Sequence, residues 1–546
     1  MDYFGNHGDS KSTQNQGENM RLGLWLVVIS SLIAISCTKK QKAEYGLKHE
    51  ETLKINITSE PPSMDWSKST DTTSALIQDN IMEGLVEYNF SDPDLGLKPS
   101  LAKEWTSTNN AQTWTFTIRE GVKWNDGTAF TAQQVVDGWE RLLAPATASQ
   151  YAYFLFGIKN ATKFNKGEIK DFKDVGVKIN DKGQLVVELE APQSYFPYLL
   201  THHCTYPVRL DVIKKHGDKW TEPGNIVTLG PYNLKTWDHD KAIVLERNET
   251  YYGEKAKTKN VLAYMIQEKS TAITLFETGK LDVQTPLPSA ELSTLKKKPS
   301  YQDNGILSLY YYGMNTAKPP MDNINVRKAI AHAIDRNEIT TMLSGGQKPL
   351  SAWVPSGMLG HEPTTGTKFD ASKAKDFLVK AGYKDPKTMP KIELAYNTNE
   401  DQKRIAENVQ AQLKRNLGIS VEIKNEEWKS YLGKLKSDTP HIYRMGWVAD
   451  FPDPDNFLNL MTSYSDNNHT KWGNKEFDKL INKAVSINNK ETRRGLYAKA
   501  QKILTEVDVP VIPIYSGVMH VFINKRVKNY PINVMDRRKF KKVVLQ

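Results

Sequence analysis

The sequence predicts an α/β fold of roughly two to four domains, with parallel strands covered by helices. Two observations carry this. The chain has 546 residues, more than a single hydrophobic core organises, and its 39 % apolar, 25 % charged composition is that of an ordinary globular protein. Within it, Ile392, Leu394 and Tyr396 alternate as in a half-buried strand, and Ile405, Val409 and Leu413 then recur every four residues. Gly418 ends that helix, and Ile419, Val421 and Ile423 alternate again. A strand, a helix and a second strand in that order make a βαβ unit, which sets the two strands parallel.

From the N-terminus, residues 1–19 are polar, whereas Met20-Arg21 makes a compact basic start, so Met20 is a second candidate for the true first residue. Residues 22–35 form an apolar run of about 14, short of the ~20 that cross a bilayer but suited to a signal peptide. Ala34-Ile35-Ser36-Cys37 resembles the lipobox of bacterial lipoproteins. That likeness implies a signal segment over residues 1–37, with Cys37 diacylated as the mature N-terminus. Residues 38–50 become a tether, and the location is periplasmic or extracytoplasmic at a membrane. Loss of the segment removes two Lys/Arg and three Asp/Glu, taking the net charge from +10 to +11.

Residues 54–57 alternate like a strand, and residues 114–118 repeat the pattern ahead of the turn signal Asn125-Asp126-Gly127. Thr131-Ala132-Gln133-Gln134 reads as a capping box opening a helix with Val135, Val136, Trp139, Leu142 and Leu143 on one face. Residues 325–336 and 492–504 read as amphipathic helices, turning Val326, Ile330 and Ile334, and Leu496, Ala500 and Ile503, inward. Positive charge is dense only at Arg537-Arg538-Lys539-Phe540-Lys541-Lys542. That run reads as solvated surface, with anionic lipid as the lesser alternative and no nucleic acid expected. Beyond Cys37 the sole cysteine is Cys204, so no internal disulfide forms and Cys204 reads as a small buried hydrophobe.

Enzyme motifs are missing: no G-x-S-x-G, H-E-x-x-H, C-x-x-C, Walker loop or G-x-G-x-x-G occurs. Ser293-Thr294-Leu295-Lys296 and Ser372-Lys373-Ala374-Lys375 match S-x-x-K, but among surface lysines and without K-T-G. Asp450, Asp453, Asp455 and Asn456 lack the central Gly and closing Glu of a calcium loop. His202-His203, read as a strand, point to opposite faces and make a poor metal pair. His332 reads as a structural hydrogen-bonding residue. No metal or cofactor is expected. The most informative stretch is Arg444-Met445-Gly446-Trp447-Val448-Ala449-Asp450, an apolar turn closing on one acidic residue. It can hold a carboxylate where little water reaches, and an isolated charge there needs a cationic partner, such as a ligand.

Ser59-Glu-Pro-Pro-Ser-Met-Asp65, Ile118-Arg-Glu-Gly-Val-Lys-Trp-Asn-Asp-Gly-Thr128, Gly230-Pro-Tyr232, Leu245-Glu-Arg-Asn248, Ala333-Ile-Asp-Arg336 and Gly446-Trp447 appear in order. Together they resemble the extracellular solute-binding proteins of family 5, which serve bacterial peptide-import ABC transporters. Trp139-Glu-Arg-Leu-Leu143, Trp220-Thr-Glu-Pro-Gly224 and Asn425-Glu-Glu-Trp428 are similar to the oligopeptide-binding branch. The resemblance implies a periplasmic-binding-protein-like clamshell of class II type with an additional inserted domain. Domain I would comprise residues 45–88, 212–307 and 518–546, domain II residues 89–211 and domain III residues 308–517.

It further implies a monomeric, non-enzymatic peptide binder that works with ABC permease and ATPase subunits. Asp450 would pair with the peptide α-ammonium, and the backbone around Val448 would take the peptide as an added strand. Trp428, Arg444, Trp447, Tyr151 and Tyr311 would line the pockets. Gln402 stands where the branch often has His and Leu435 where a second arginine is found, so the carboxyl end of a peptide would be held loosely. An acidic position near the first loop is Thr70, with Asp71 beside it. Ser308 and Val448 stand where some members have a disulfide. Alternatives are a narrower dipeptide or murein-tripeptide binder, or a peptide-sensing or chaperone lipoprotein; an enzyme on a lipoprotein stem lacks the nucleophile motifs.

Overall fold

The computed structural model describes residues 44–92, 94–487 and 489–546; the signal segment, the lipobox and Cys37 lie outside them. Residues 1–49 form a unit of their own, in which the turn Glu44–Gly46 is described. The remainder, Glu50–Gln546, is built on three larger sheets, with two further two-stranded sheets, Val86–Tyr88 with Leu97–Pro99 and Val527–Lys528 with Val544–Leu545.

Seven strands make the first, in the spatial order Tyr301–Gly305, Val518–Ile523, Val283–Gln284, Thr52–Asn56, Asn260–Tyr264, Ala242–Arg247 and Tyr232–Asp238. Thr52–Asn56, expected over residues 54–57, runs parallel to both of its neighbours. The second sheet has six strands: Lys348–Pro349, Val511–Ser516, Ser308–Met314, Ile442–Val448, Ile392–Asn397 and Val421–Glu426. The third is a four-stranded antiparallel sheet of Ala102–Thr108, Thr113–Ile118, Leu185–Glu188 and Val177–Ile179.

The βαβ unit forms as expected. Ile392–Asn397 and Val421–Glu426 pair in parallel with Ile392 opposite Val421, joined by the helix Glu400–Leu417. Asn399 caps that helix by accepting the N–H groups of Asp401 and Gln402, and Gly418 ends it at φ 74°, a left-handed conformation suited to glycine. Ile405, Val409 and Leu413 are buried against Ile392 and Leu394. The helix Ala132–Leu143 opens at Thr131, whose N–H donates to Gln134 Oε1 at 2.7 Å. Val135, Trp139, Leu142 and Leu143 are buried on it, with Val136 half-buried at the margin.

Two helices differ from the sequence reading. Residues 325–336 are not one helix: Ile324–Ala333 ends at Ile334, which turns extended, and Arg336–Leu343 begins anew with Asp335 as its cap, accepting Asn337 N–H at 2.9 Å. The aspartate offers the backbone an alternative to continuing the turn. Helix Lys490–Lys502 runs on into a wider π turn, Ile503–Val507, where Asp508 N–H donates to Ile503 O at 2.9 Å. The extra residue per turn shifts the helical phase, so Leu504 is buried and Ile503 only half-buried.

The Gly230-Pro231-Tyr232 motif has a packing cause. Gly230 N–H donates to Ile81 O at 2.8 Å, and a Cβ at this position would lie 2.3 Å from the Ile81 carbonyl carbon and 2.6 Å from Met82 N. All of these atoms are backbone of the Ile81–Met82 peptide, so no side chain can give way. Gly230→Ala should therefore lower stability by about 1–3 kcal/mol, as overpacking does, read as a lower urea midpoint at unchanged m-value.

Candidate binding site

A cavity of about 470 Å³ lies between the seven-stranded and six-stranded sheets. Its walls come from the ends of Thr52–Asn56 and Val518–Ile523, the start of the helix Thr72–Ile81, the turn at His202 and His203, and Arg444 through Asp450. Ile442–Val448 pairs along its whole length with Ser308–Met314, whereas its parallel neighbour Ile392–Asn397 meets it only at Ile442 and Tyr443. From Arg444 to Val448 that second edge has no strand partner among the described residues, and all five residues line the cavity.

Asp450 sits at the end of this edge, 8 % exposed. His202 Nε2 lies 3.1 Å from Oδ1, the Tyr151 hydroxyl 3.4 Å from both oxygens, and Asn456 Nδ2 donates to Oδ2 at 3.0 Å. Asn456 Oδ1 in turn accepts the Asp450 N–H at 3.0 Å and Trp447 Nε1 at 3.2 Å. His202 Nδ1 accepts the Cys204 N–H at 3.3 Å, which leaves the proton on Nε2 facing the carboxylate. Burial raises the Asp450 pKa, but His202, Asn456 and the Arg537 guanidinium outweigh it and hold the carboxyl below its ordinary range. Burial also keeps His202 below the usual histidine value against the pull of Asp450. At neutral pH the site is thus a carboxylate held by uncharged donors, with its negative charge uncancelled at contact distance.

Of the residues expected in the site, Asp450, Arg444, Trp447, Trp428, Tyr151, Val448 and Gln402 all line the cavity, as do Thr70 and Asp71. Asp71 caps the helix Thr72–Ile81 by accepting Thr73 and Ser74 N–H, and burial raises its pKa. Arg444 lies 4.7 Å over the Tyr310 ring and donates to Asn397 Oδ1 at 3.1 Å. Tyr311 is the exception. It points to the opposite face, packing 4.8 Å from the Trp353 ring, and Tyr310 takes the place by the cavity, its hydroxyl donating to Gln402 Oε1 at 2.7 Å. Successive residues of a strand face opposite ways, so a register error of one residue exchanges the pair. Leu435 is fully buried away from the cavity, and Ser308 and Val448 lie opposite each other in the ladder.

Two expectations do not hold. His202 and His203 lie in a short turn rather than a strand, with ring centroids 4.0 Å apart, and both line the cavity. No cluster of three or more metal-ligating side chains occurs among the described residues. The run from Arg537 is not solvated surface. Arg537 Nη1 donates to Asp79 Oδ2 at 2.7 Å, Lys539 reaches Glu87 at 3.3 Å, Phe540 is fully buried, and Arg537 and Arg538 line the cavity. Lys269, passed over in the sequence, is a further cation on the wall, buried and paired with Asp401, which also accepts from the Ser289 hydroxyl. Single lysines carry no local signal; the acidic partner of this one is 132 residues away.

The matched family is that of the bacterial extracellular solute-binding proteins, family 5, whose model covers residues 96–469. The chain belongs to this family. Its members bind solutes and are not enzymes. This family 5 protein is 38 % identical over 513 residues to the oligopeptide-binding protein OppA of Bacillus subtilis, covering 90 % of this chain and 93 % of that one. It superposes on the murein tripeptide binding protein MppA of Escherichia coli with a TM-score of 0.86 at 31 % identity, covering 91 % and 99 % of the two chains. Against a structure of MppA described as unliganded and open the TM-score is 0.62, at 31 % identity and with 91 % and 98 % covered.

The neutral state of His202 gives a pH dependence. A histidine with a lowered folded pKa contributes stability that is fully present above the unfolded value of 6.5 and lost as pH falls. In urea titrations of wild type against His202→Gln, which keeps a donor but cannot titrate, the wild-type advantage should shrink from pH 7 to pH 5, by up to about 1.4 kcal/mol per pH unit.

Proposed function

We propose that this chain is the lipid-anchored substrate-binding component of an ABC-type oligopeptide importer. It works as a monomer that encloses a peptide between its lobes and delivers it to permease and ATPase subunits. The observation that carries this reading is the Asp450 carboxylate, nearly dry and without a cation at contact distance, at the end of a strand edge that lacks a partner among the described residues. A peptide laid along Arg444 to Val448 would add a strand by main-chain hydrogen bonds, which bind without reading side chains, and would bring its α-ammonium to Asp450. Trp447, Trp428 and Tyr310 give aromatic walls for varied side chains. The names of the relatives support the ligand class: OppA of Bacillus subtilis is an oligopeptide-binding protein. Domain limits at about residues 88, 211, 307 and 517 are part of the proposal, as is diacylation of Cys37 in an extracytoplasmic location.

Removing one partner of a buried ion pair costs roughly 3–5 kcal/mol, about 10²–10³-fold in affinity. Asp450→Asn should weaken binding of a free-amine tetrapeptide by that factor, and N-acetylation should weaken binding to wild type comparably. Calorimetry giving equal affinities for free and acetylated peptides would refute the pairing. For the anchor, the full chain expressed in a bacterium should incorporate labelled palmitate and Cys37→Ser should not; label on the serine variant would exclude lipidation at Cys37.

A further inference from the structure

Besides Asp450, a second carboxylate, Asp79, and the guanidinium of Arg537 line the same cavity. Asp79 lies in the helix Thr72–Ile81 and is almost fully buried. Its Oδ2 accepts from Arg537 Nη1 at 2.7 Å and its Oδ1 from the Tyr206 hydroxyl at 2.9 Å. The backbone around Arg537 is fixed independently of that pair. Asn533 Oδ1 accepts the Arg537 N–H at 3.1 Å, Asn533 Nδ2 donates to the Arg537 carbonyl at 2.7 Å, and Asn80 Nδ2 donates to Arg538 O at 2.8 Å. What Asp79 holds is therefore the direction of one side chain.

We propose that Asp79 is a positioning residue for peptide binding: it keeps the Arg537 guanidinium off Asp450, so that the Asp450 charge is left for the ligand ammonium. This rests on the peptide reading and deepens it. Asp79, Arg537 and Asp450 together carry one net negative charge; without Asp79 they carry none, and an ammonium is drawn only to the first arrangement. Arg537 already acts on the Asp450 carboxyl from beyond contact distance, and the two share neighbours. The Tyr88 hydroxyl, which donates to Asp450 O at 3.3 Å, lies in the field of the guanidinium, and so does His202, 3.1 Å from Asp450. Of the carboxylates, Asp79 acts on Arg537 most and Asp450 next, while Asp536 is paired with Arg538 at 3.2 Å. Where little water reaches, an unpaired charge is costly, so a guanidinium released from Asp79 turns to Asp450.

Removing Asp79 alone and removing the pair have different consequences. Asp79→Asn keeps the shape and an acceptor for Tyr206 but frees Arg537. Taking Arg537 away as well leaves Asp450 with no cation to turn to it. Replacing both members of a buried pair by neutral side chains of similar size costs a fold little, whereas replacing one leaves an uncompensated charge. Loss in the single variant and recovery in the double is thus the signature of a carboxylate that works through the arginine. An Asp79 that itself drew the ammonium, or that only braced the helix Thr72–Ile81, would show no recovery.

The test is calorimetry at pH 7 on the full protein, with a free-amine tetrapeptide and with its N-acetylated form. The quantity read is the preference of each variant for the free amine. Asp79→Asn should cut the wild-type preference at least tenfold, about 1.4 kcal/mol, by weakening the free-amine form. Asp79→Asn combined with Arg537→Met should recover most of that loss. Arg537→Met alone removes the cation that opposes the ammonium and should raise the preference several-fold; it decides the matter if Asp79→Asn does not fold. A preference kept by Asp79→Asn, a loss that the double variant does not recover, or a fall in Arg537→Met would overturn the proposal while leaving the peptide reading intact. Failure of the peptide reading looks different: wild type itself would bind both forms equally, and the role of Asp79 would fall with it.

Discussion

A single carboxylate taken out of water, touched only by neutral donors and stabilised from farther off by the Arg537 guanidinium, is the constraint around which the rest of the site is arranged. Desolvating an ion costs several kcal/mol, and Asp450 meets that cost with His202, Tyr151 and Asn456, drawn from three separate segments. Each donor needs its own support. Cys204 N–H fixes the His202 tautomer, and Trp447 Nε1 and the Asp450 N–H orient the Asn456 amide. A lysine or arginine in their place would satisfy the carboxylate more cheaply and cancel its charge. Neutral donors stabilise the ion yet leave its field pointing into the cavity, so the site is organised before any ligand arrives.

The contacts that join the segments around the cavity are both aromatic and polar: Phe451 packs 5.6 Å from Phe154 and 5.8 Å from Tyr195, and Tyr151 lies 6.0 Å from Trp447. Lys269 and Ser289 meet Asp401, Gln150 Nε2 donates to Asp466 O at 2.9 Å, and Tyr88 OH donates to Asp450 O at 3.3 Å. Such polar contacts can exchange for water when surfaces separate, at a net difference of about 1 kcal/mol each.

Much of the architecture was legible because periodicity is local. Strand alternation at residues 392–396, the four-residue spacing from Ile405 and a glycine stop needed only neighbours in sequence, and all three stand in the fold. The helix over residues 325–336 misled because Asp335 reads equally as a polar face residue and as a cap. Tyr310-Tyr311-Tyr312 could not be phased, since three like side chains contain no alternation to say which faces the cavity. The half-burial and pairing of Arg537 and Lys539 were invisible for another reason. Their partners Asp79 and Glu87 lie more than 450 residues earlier, and a charge run without visible partners reads as surface.

That last arrangement has a consequence for how the molecule comes into being. Val518–Ile523 is an inner strand of the sheet that also holds Thr52–Asn56, and Arg537 and Arg538 wall the cavity. The first sheet therefore has a gap, and the cavity an open side, until residues 518–540 have been synthesised. Pairings across such sequence distances close slowly, because loop entropy is lost before the contacts form. The nascent chain stays incompletely folded for almost the whole of its synthesis, and its binding cleft is among the last parts to be finished.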